Sequence, residues 1–259
     1  MTLLKRELQY GFSYYFKDER DKIKSVMSPQ EINTEDRLCI TCTQIDFHRY
    51  PQYKSNKLRK QLVHDWCTFL IENPNRFTEL IFSSRIPQEL FDAICHQKKL
   101  KKLEIKWGAY PDISKIINLK NLEFLTLGPG SSIQSIEPII QLKNLIGLHI
   151  EYFKNITDYS PLSKLNNLKS LYIEGNGNGP QFITIESLDF LKEMPQLQFL
   201  KLLTFRLQTK DYLPILELKN LEHLTLRSNR EVKKVYNDLI KLPNLKWGLL
   251  KEKPEIYNL

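Results

Sequence analysis

Cysteine is scarce in this 259-residue chain. The four present, Cys39, Cys42, Cys67 and Cys95, are too few to staple a domain of this size, which excludes a disulfide scaffold and points to reduced thiols. Long apolar runs are missing as well, since no stretch approaches the roughly 20 residues that a membrane helix needs. At the start, Lys5, Arg6 and Glu7 interrupt the chain before the apolar region of a secretory signal can build, so the expected location is cytoplasmic. In that setting the triplet Asn155-Ile156-Thr157 is an accidental glycosylation match. Nor does one sign of charge dominate. The net charge is +8, but residues 1–76 hold 13 Lys and Arg against 10 Asp and Glu, and the remainder holds 25 against 20. An excess spread so thinly is an ordinary polar surface with a positive lean.

Catalytic signatures are also wanting. No Gly-x-Ser-x-Gly elbow and no His-Glu-x-x-His pair occurs. The run GNGNG at 175–179 lacks the helix that a phosphate loop requires, because Pro180 and FITI follow it, and it reads as a flexible loop. Cys39 and Cys42 have metal-knuckle spacing, and His64 with Cys67 offers a second pair. Neither pair is flanked by the glycines and short turns that fold a knuckle around zinc. Buried thiols on a strand and a helix are the expectation, with no metal and no cofactor.

What is present is a period. Leu145, Leu148 and Ile150 stand at positions one, four and six of NLIGLHI. The frame returns as Leu122/Leu125/Leu127, Leu168/Leu171/Ile173, Leu197/Leu200/Leu202 and Leu221/Leu224/Leu226. The fourth-position residues Leu80, Leu103, Leu125, Leu148, Leu171, Leu200, Leu224 and, degenerate, Gly248 are separated by 23, 22, 23, 23, 29, 24 and 24 residues. Each unit is then a short strand, a turn and a return segment, with neighbouring strands pairing in parallel at ~4.8 Å. The return segments repeat too. Pro138, Pro161 and Pro214 open several of them as short helices or 3-10 turns. Asn121, Asn144, Asn167, Asn220 and Asn244 close them, at a point where left-handed backbone is expected. The interval of 29 comes from EGNGNGPQFITIES, an extended loop.

The segments LKNLEFLTL, LKNLIGLHI, LNNLKSLYIEGN and LKNLEHLTLRSN resemble the leucine-rich repeat family, particularly its class of roughly 22-residue units found in bacterial internalins and a eukaryotic phosphatase regulator. The resemblance covers residues 77–250 and implies an α/β solenoid of about eight strands, with a curved parallel sheet on its concave face and short helices on the convex one. It also implies a platform for binding proteins. The family's asparagine, three residues past the sixth position, stands only at Asn176 and Asn229; Gly108, Gly130, Phe153 and Phe205 replace it, with the two phenylalanines expected to fill the core.

Outside the repeats the reading is coarser. Residues 1–54 hold the aromatic cluster Tyr10, Phe12, Tyr14, Tyr15 and Phe16, then KDERDK, Ile23, Val26 and Met27, a pattern that fits two short strands joined by a charged turn or an irregular helix, with strands preferred; RLCITCTQIDF reads as a further strand. From Ser55 an amphipathic helix is expected, carrying Leu58, Leu62, Trp66 and Phe69 or Leu70 and stopping near Asn73-Pro74. Residues 55–76 are assigned as a cap over the first repeat strand. Residues 251–259 form a tail, in which Lys251, Lys253 and Pro254 guard the last edge while Trp247 covers the final layer.

Strand alternation selects the candidate site. If Leu148 and Ile150 point inward, then Gly147, His149 and Glu151 point to the concave surface. The same rule places Phe124, Tyr172, Glu174, Phe199, Lys201, His223, Arg227 and Trp247 there, an acidic and aromatic centre flanked by apolar area that suits a protein or peptide partner. His149 and His223 lie two or more strands apart and read as contact residues rather than bases. The alternative is nucleic acid on the basic edge Lys98, Lys99, Lys101, Lys102 and Lys106, an edge interrupted by Glu104.

Overall fold

The computed structural model describes residues 22–177 and 179–257. The aromatic cluster from Tyr10 to Phe16 lies outside the described residues. In chain order the elements are β1 (Lys24–Val26), β2 (Arg37–Ile40), α1 (Asn56–Glu72), β3 (Glu79–Phe82), β4 (Ile86–Pro87), α2 (Gln88–Ile94), β5 (Lys102–Ile105) and β6 (Gly108–Ala109). They continue with β7 (Phe124–Leu127), β8 (Gly147–Glu151), β9 (Ser170–Glu174), β10 (Ile183–Ile185), β11 (Phe199–Leu203), β12 (Phe205–Leu207), β13 (His223–Leu226), α3 (Arg230–Leu239) and α4 (Leu249–Glu252). Nine of the strands make one parallel sheet in the order β1-β2-β3-β5-β7-β8-β9-β11-β13, about 38 Å wide at ~4.8 Å per step. This is the leucine-rich repeat solenoid.

Its register follows the leucines. Leu80, Leu103, Leu125, Leu148, Leu171, Leu200 and Leu224 are Cα partners from strand to strand, and none is more than 1% exposed. Each buried leucine contributes roughly 1.5–3 kcal/mol of transfer free energy, so the column is a continuous source of stability along the sheet. Opposite it, five 3-10 turns carry the return segments: Ser114–Asn118, Ile139–Gln141, Ser160–Lys164, Asp189–Glu193 and Leu213–Glu217. A side-chain oxygen two residues back holds the amide that opens the turn in three of them: Asp112 to Ser114 at 2.8 Å, Asp158 to Ser160 at 2.8 Å and Asp211 to Leu213 at 2.9 Å. Ser187 does the same for Asp189 at 3.0 Å.

The asparagines that close the turns are not left-handed. Among described residues positive φ is confined to Tyr152, Thr204, Lys210 and Gly248. Asn121, Asn144, Asn167, Asn220 and Asn244 instead donate their side-chain amides to carbonyls of the preceding unit, those of Lys98, Lys120, Lys143, Pro195 and Lys219, at 2.8–2.9 Å. Where the unit has Gln196, the longer amide reaches Leu165 O at 3.1 Å. The residue type is selected by a bond between repeats, not by backbone strain.

Both ends differ from the sequence reading. β2 pairs with β3, and β1 with β2, so the sheet begins well before residue 77. Arg37 and Glu79 tie that junction with an ion pair at 2.6 Å. Helix α1 therefore does not cover an open first strand. It occupies the return-segment position between β2 and β3, packs beside α2 and sends Leu62, Val63, Trp66 and Leu70 into the common core. Leu58, expected on that face, is 41% exposed because it sits in the first turn, ahead of the packed stripe. Trp66 donates its indole N–H to Met27 O at 2.8 Å, joining the helix to the segment after β1.

At the far end Trp247 makes only an isolated bridge to His223 and lies on the outer face, not over the final core layer. That layer is closed by α3, Leu250 and Tyr257. The Tyr257 side chain is 1% exposed, stacks on Tyr236 at 5.2 Å and donates its hydroxyl to Leu226 O at 2.5 Å. Within the 29-residue unit, part of the extended loop is ordered as β10, which pairs with β12. Phe153 and Phe205 are buried in the core, as is Tyr110. No helix among the described residues is long and apolar enough to cross a membrane.

Candidate functional site

The parallel register turns every second residue of the strands away from the leucine core, onto what is here the outer face. Along one row β5 contributes Glu104, β7 Thr126, β8 His149, β9 Tyr172, β11 Lys201 and β13 Thr225. The adjoining row runs Phe124, Gly147, Ser170, Phe199 and His223, and pairs at its end with Trp247.

Three of the sequence-selected residues meet on a fourth, Tyr172. The His149 ring stacks on the phenol at 3.9 Å and 8°, while the Lys201 ammonium lies 4.2 Å from the ring centroid on the neighbouring strand's side. Stacking and cation–π attraction thus fix both faces of one ring. The Tyr172 hydroxyl donates to Glu174 Oε2, and His149 Nε2 lies 3.2 Å from Glu174 Oε1. Burial pushes the His149 pKa down despite the raising contribution of Glu174, and Lys201 pushes it further the same way. The imidazole is accordingly neutral and donates its Nε2–H to an ionised carboxylate. Burial opposes ionisation of Glu174, but the hydrogen bonds from His149 and Tyr172, with the Lys201 charge, outweigh it and hold the group below its ordinary value.

Glu151 stands beside Glu174 in the register and accepts the Gly177 N–H at 2.9 Å. Burial raises its pKa, the Gly177 bond opposes that, and the Glu174 charge adds to it.

A second group gathers Phe199, His223 and Trp247, with the His223 and Trp247 rings 4.2 Å apart and Phe199 6.0 Å from Trp247. Thr225 Oγ1 accepts the Leu249 N–H at 3.1 Å and shares a hydrogen bond of 2.9 Å with His223 Nε2. Burial, then the Lys201 charge, lowers the His223 pKa to about 4. Phe124 and Phe199 form an apolar cluster separate from the leucine core, with Ile146 and Trp247 against it. Arg227 stands apart from both groups, its guanidinium 4.8 Å from the Phe182 ring of the inserted loop.

Burial divides these residues in a way that alternation did not reveal. Phe124 and His149 are each 2% exposed and form a floor, whereas Tyr172, Glu151, Glu174, Lys201 and Trp247 are half-buried and Arg227 is exposed. The basic edge is dispersed: Lys101 is paired with Glu123 at 3.0 Å, and Lys102 is half-buried with its ammonium 5.5 Å from the Phe124 ring. No disulfide joins Cys39, Cys42, Cys67 or Cys95. Burial raises Cys42 to about 12 and Cys67 to about 11. Among the described residues no group of three or more His, Cys, Asp or Glu side chains is placed to hold a metal ion.

The sequence reading also passed over a cavity of about 580 Å³ on the outer face. Glu104, Lys106, Trp107, Thr126, His149 and Glu151 line it. Their numbers are scattered over 48 positions, and only the strand register joins them. The signal available beforehand was Trp107, one of three tryptophans in the chain, directly after a repeat strand.

Comparison with protein-family models and with curated proteins returns no match. Among solved structures the chain is similar to an internalin C2 from Listeria monocytogenes, at 19% identity over 70% of this chain and 82% of that one, TM-score 0.42. It is similar to a leucine-rich repeat protein of Leptospira interrogans, at 16% identity over 93% and 73%, TM-score 0.38. A plant peptide hormone receptor, RGFR1 in complex with RGF2, is similar at 17% identity over 67% of this chain and 28% of the receptor, TM-score 0.44. These are likenesses of fold.

Proposed function

We propose that this leucine-rich repeat solenoid is a non-catalytic interaction scaffold, an adaptor or inhibitor that holds a protein or peptide on the outer face of its sheet. The observation that carries the reading is the fixed state of Tyr172. With one face on His149, the other under Lys201 and its hydroxyl on Glu174, the ring loses little further freedom when a partner covers it. Aromatic and charged groups held this way, beside a half-buried Trp247 that packs on the buried Phe199, have the make-up of a binding hot spot. A specific complex needs roughly 1,200–2,000 Å² of buried surface, which a sheet of this width accommodates together with its rim. Four cysteines with no disulfide between them support a reducing, cytoplasmic setting.

The test is affinity capture from native lysate with nuclease treatment, followed by titration of the captured partner against variants. Tyr172→Ala and Lys201→Glu are expected to weaken binding by about tenfold or more, with the far-UV circular dichroism unchanged. Unaltered affinity in both would remove this face from consideration. Loss of capture on nuclease treatment would favour nucleic acid on the Lys98–Lys106 edge.

A further inference from the structure

We infer that the outer-face cavity is a receptor for an arginine side chain presented by the bound protein or peptide. This rests on the interaction reading above and supplies its chemistry. The cavity holds about 580 Å³ between β3 and the end of β8, ample for one long side chain and too small for a folded element. Two carboxylates, Glu104 and Glu151, stand on its walls, with Glu174 next in register behind Glu151. On the floor Thr126 is 4% exposed, and its Oγ1 is buried with no hydrogen-bond partner among the described residues. Trp107, half-buried, supplies an indole. The other titratable neighbours are His149, which burial holds neutral, Lys106, an exposed residue at the rim, and Lys102, a half-buried cation on the strand of Glu104 and attracted to it.

Each feature selects against other occupants. An apolar side chain would leave the buried Thr126 hydroxyl unsatisfied and strip water from the Glu151 carboxylate, at a cost of a few kcal/mol. An anion would face Glu104 and Glu151, with Lys106 alone of the lining residues to attract it and Lys102 already engaged by the charges of Glu123 and Glu104. Glu151 accepts the Gly177 N–H, and an ionised carboxylate has about four lone-pair sites, so acceptor capacity remains on it. A cation arriving there offsets the burial and the Glu174 repulsion that Glu151 now bears. Between the two common cations, the acceptors are spread over β5, β7 and β8, a distribution met by a planar fork of five N–H donors better than by a single ammonium. Guanidinium also stacks on indole, which Trp107 offers.

The experiment titrates the full-length, uniformly ¹⁵N-labelled protein with the capped peptide Gly-Ser-Arg-Gly-Ser, following the Trp107 indole N–H assigned from Trp107→Phe. Versions with lysine, citrulline or glutamate at the central position serve as comparison. A saturable shift with the arginine peptide is expected. Citrulline, which keeps the shape and loses the charge, should bind about tenfold more weakly, and lysine should fall between. Glu151→Gln should weaken the arginine peptide by a similar factor, and Thr126→Val should do so independently, each in a protein whose other resonances are unmoved. Equal binding of arginine and citrulline, or full affinity in both variants, would overturn the assignment. If the protein partner still depends on Tyr172 while the cavity ignores arginine, this inference fails alone; if arginine binds but partner affinity ignores Tyr172 and Lys201, the surface reading is the one that fails.

Discussion

Asn144 donates its side-chain amide to the Lys120 carbonyl at 2.8 Å, and the same bond links four other pairs of consecutive units. These bonds lie at exposed turns, so each exchanges a water contact for an internal one and is worth about 1 kcal/mol. Asn144→Ala should lower unfolding free energy by that amount, and Asn121→Ala with Asn144→Ala by about twice as much, since the two amides share no acceptor. Urea denaturation of the three variants checks this. A left-handed role for the asparagine would instead make Asn144→Gly neutral or stabilising, whereas the amide bond requires it to cost as much as alanine or more.

Gly130 and Phe153 meet across one unit boundary. A Cβ built on Gly130 would lie 2.3 Å from the Phe153 ring, so the glycine at this position is there to admit the phenylalanine that occupies the next unit's asparagine site. Its φ is not in the left-handed region, which leaves sterics as the whole effect. Gly130→Ala should cost about 1–3 kcal/mol by overpacking. Phe153→Leu alone should cost about 1 kcal/mol, and the double variant should be more stable than the sum of the two implies. Strict additivity in thermal or urea unfolding would show that the ring does not rest on the glycine.

The leucine column made the solenoid legible because each unit repeats one demand, an inward side chain every 22 to 29 residues. A second column with the same period was equally visible and went unread: Asp112, Ser135, Asp158, Ser187 and Asp211 precede the return turns and accept backbone amides there. The first two strands left no such trace. Lys24–Val26 is three residues long, and Arg37–Ile40 is followed by a 17-residue helix in place of a turn, so neither fits the repeat length. The outer face was legible as a set of columns and opaque as a surface. Alternation names the side on which His149 stands, but its 2% exposure depends on packing by Tyr172 and its neighbours, and the cavity depends on register across four strands.

Tyr257 shows how the far end of the solenoid is sealed. Its ring fills the space beyond the last leucine layer, stacked on Tyr236, and its hydroxyl reaches Leu226 O at 2.5 Å. Tyr257→Phe removes the hydrogen bond and leaves the acceptor in place, for an expected loss of about 1 kcal/mol. Tyr257→Ala also opens the core and should cost about 3–5 kcal/mol. Hydrogen exchange distinguishes a local from a global effect: amides of α3 and β13 should lose protection first in Tyr257→Ala, before those of β7 and β8. Uniform loss along the sheet would mean that the residue is no terminal seal.

His223 gives the fold a dependence on pH whose sign is fixed. Its pKa falls from an ordinary 6.5 to about 4, because burial and then the Lys201 charge disfavour the imidazolium. Between those values the unfolded chain binds the proton and the native chain does not, so stability is full above pH 6.5 and declines as the solution is acidified towards pH 4. From pH 7 to pH 4.5 the loss from this residue is about 2 kcal/mol. His149, also depressed, adds to the loss, while Glu151, raised by burial, works the other way because its protonated form is the one the fold prefers. His223→Gln keeps a hydrogen-bonding side chain, able to donate or accept, beside the Thr225 hydroxyl and cannot titrate. Urea unfolding at the two pH values should therefore show a smaller acid loss in the variant than in the parent, by about 2 kcal/mol. An identical loss in both proteins would place the acid sensitivity elsewhere and mean that His223 titrates as it does in the unfolded chain.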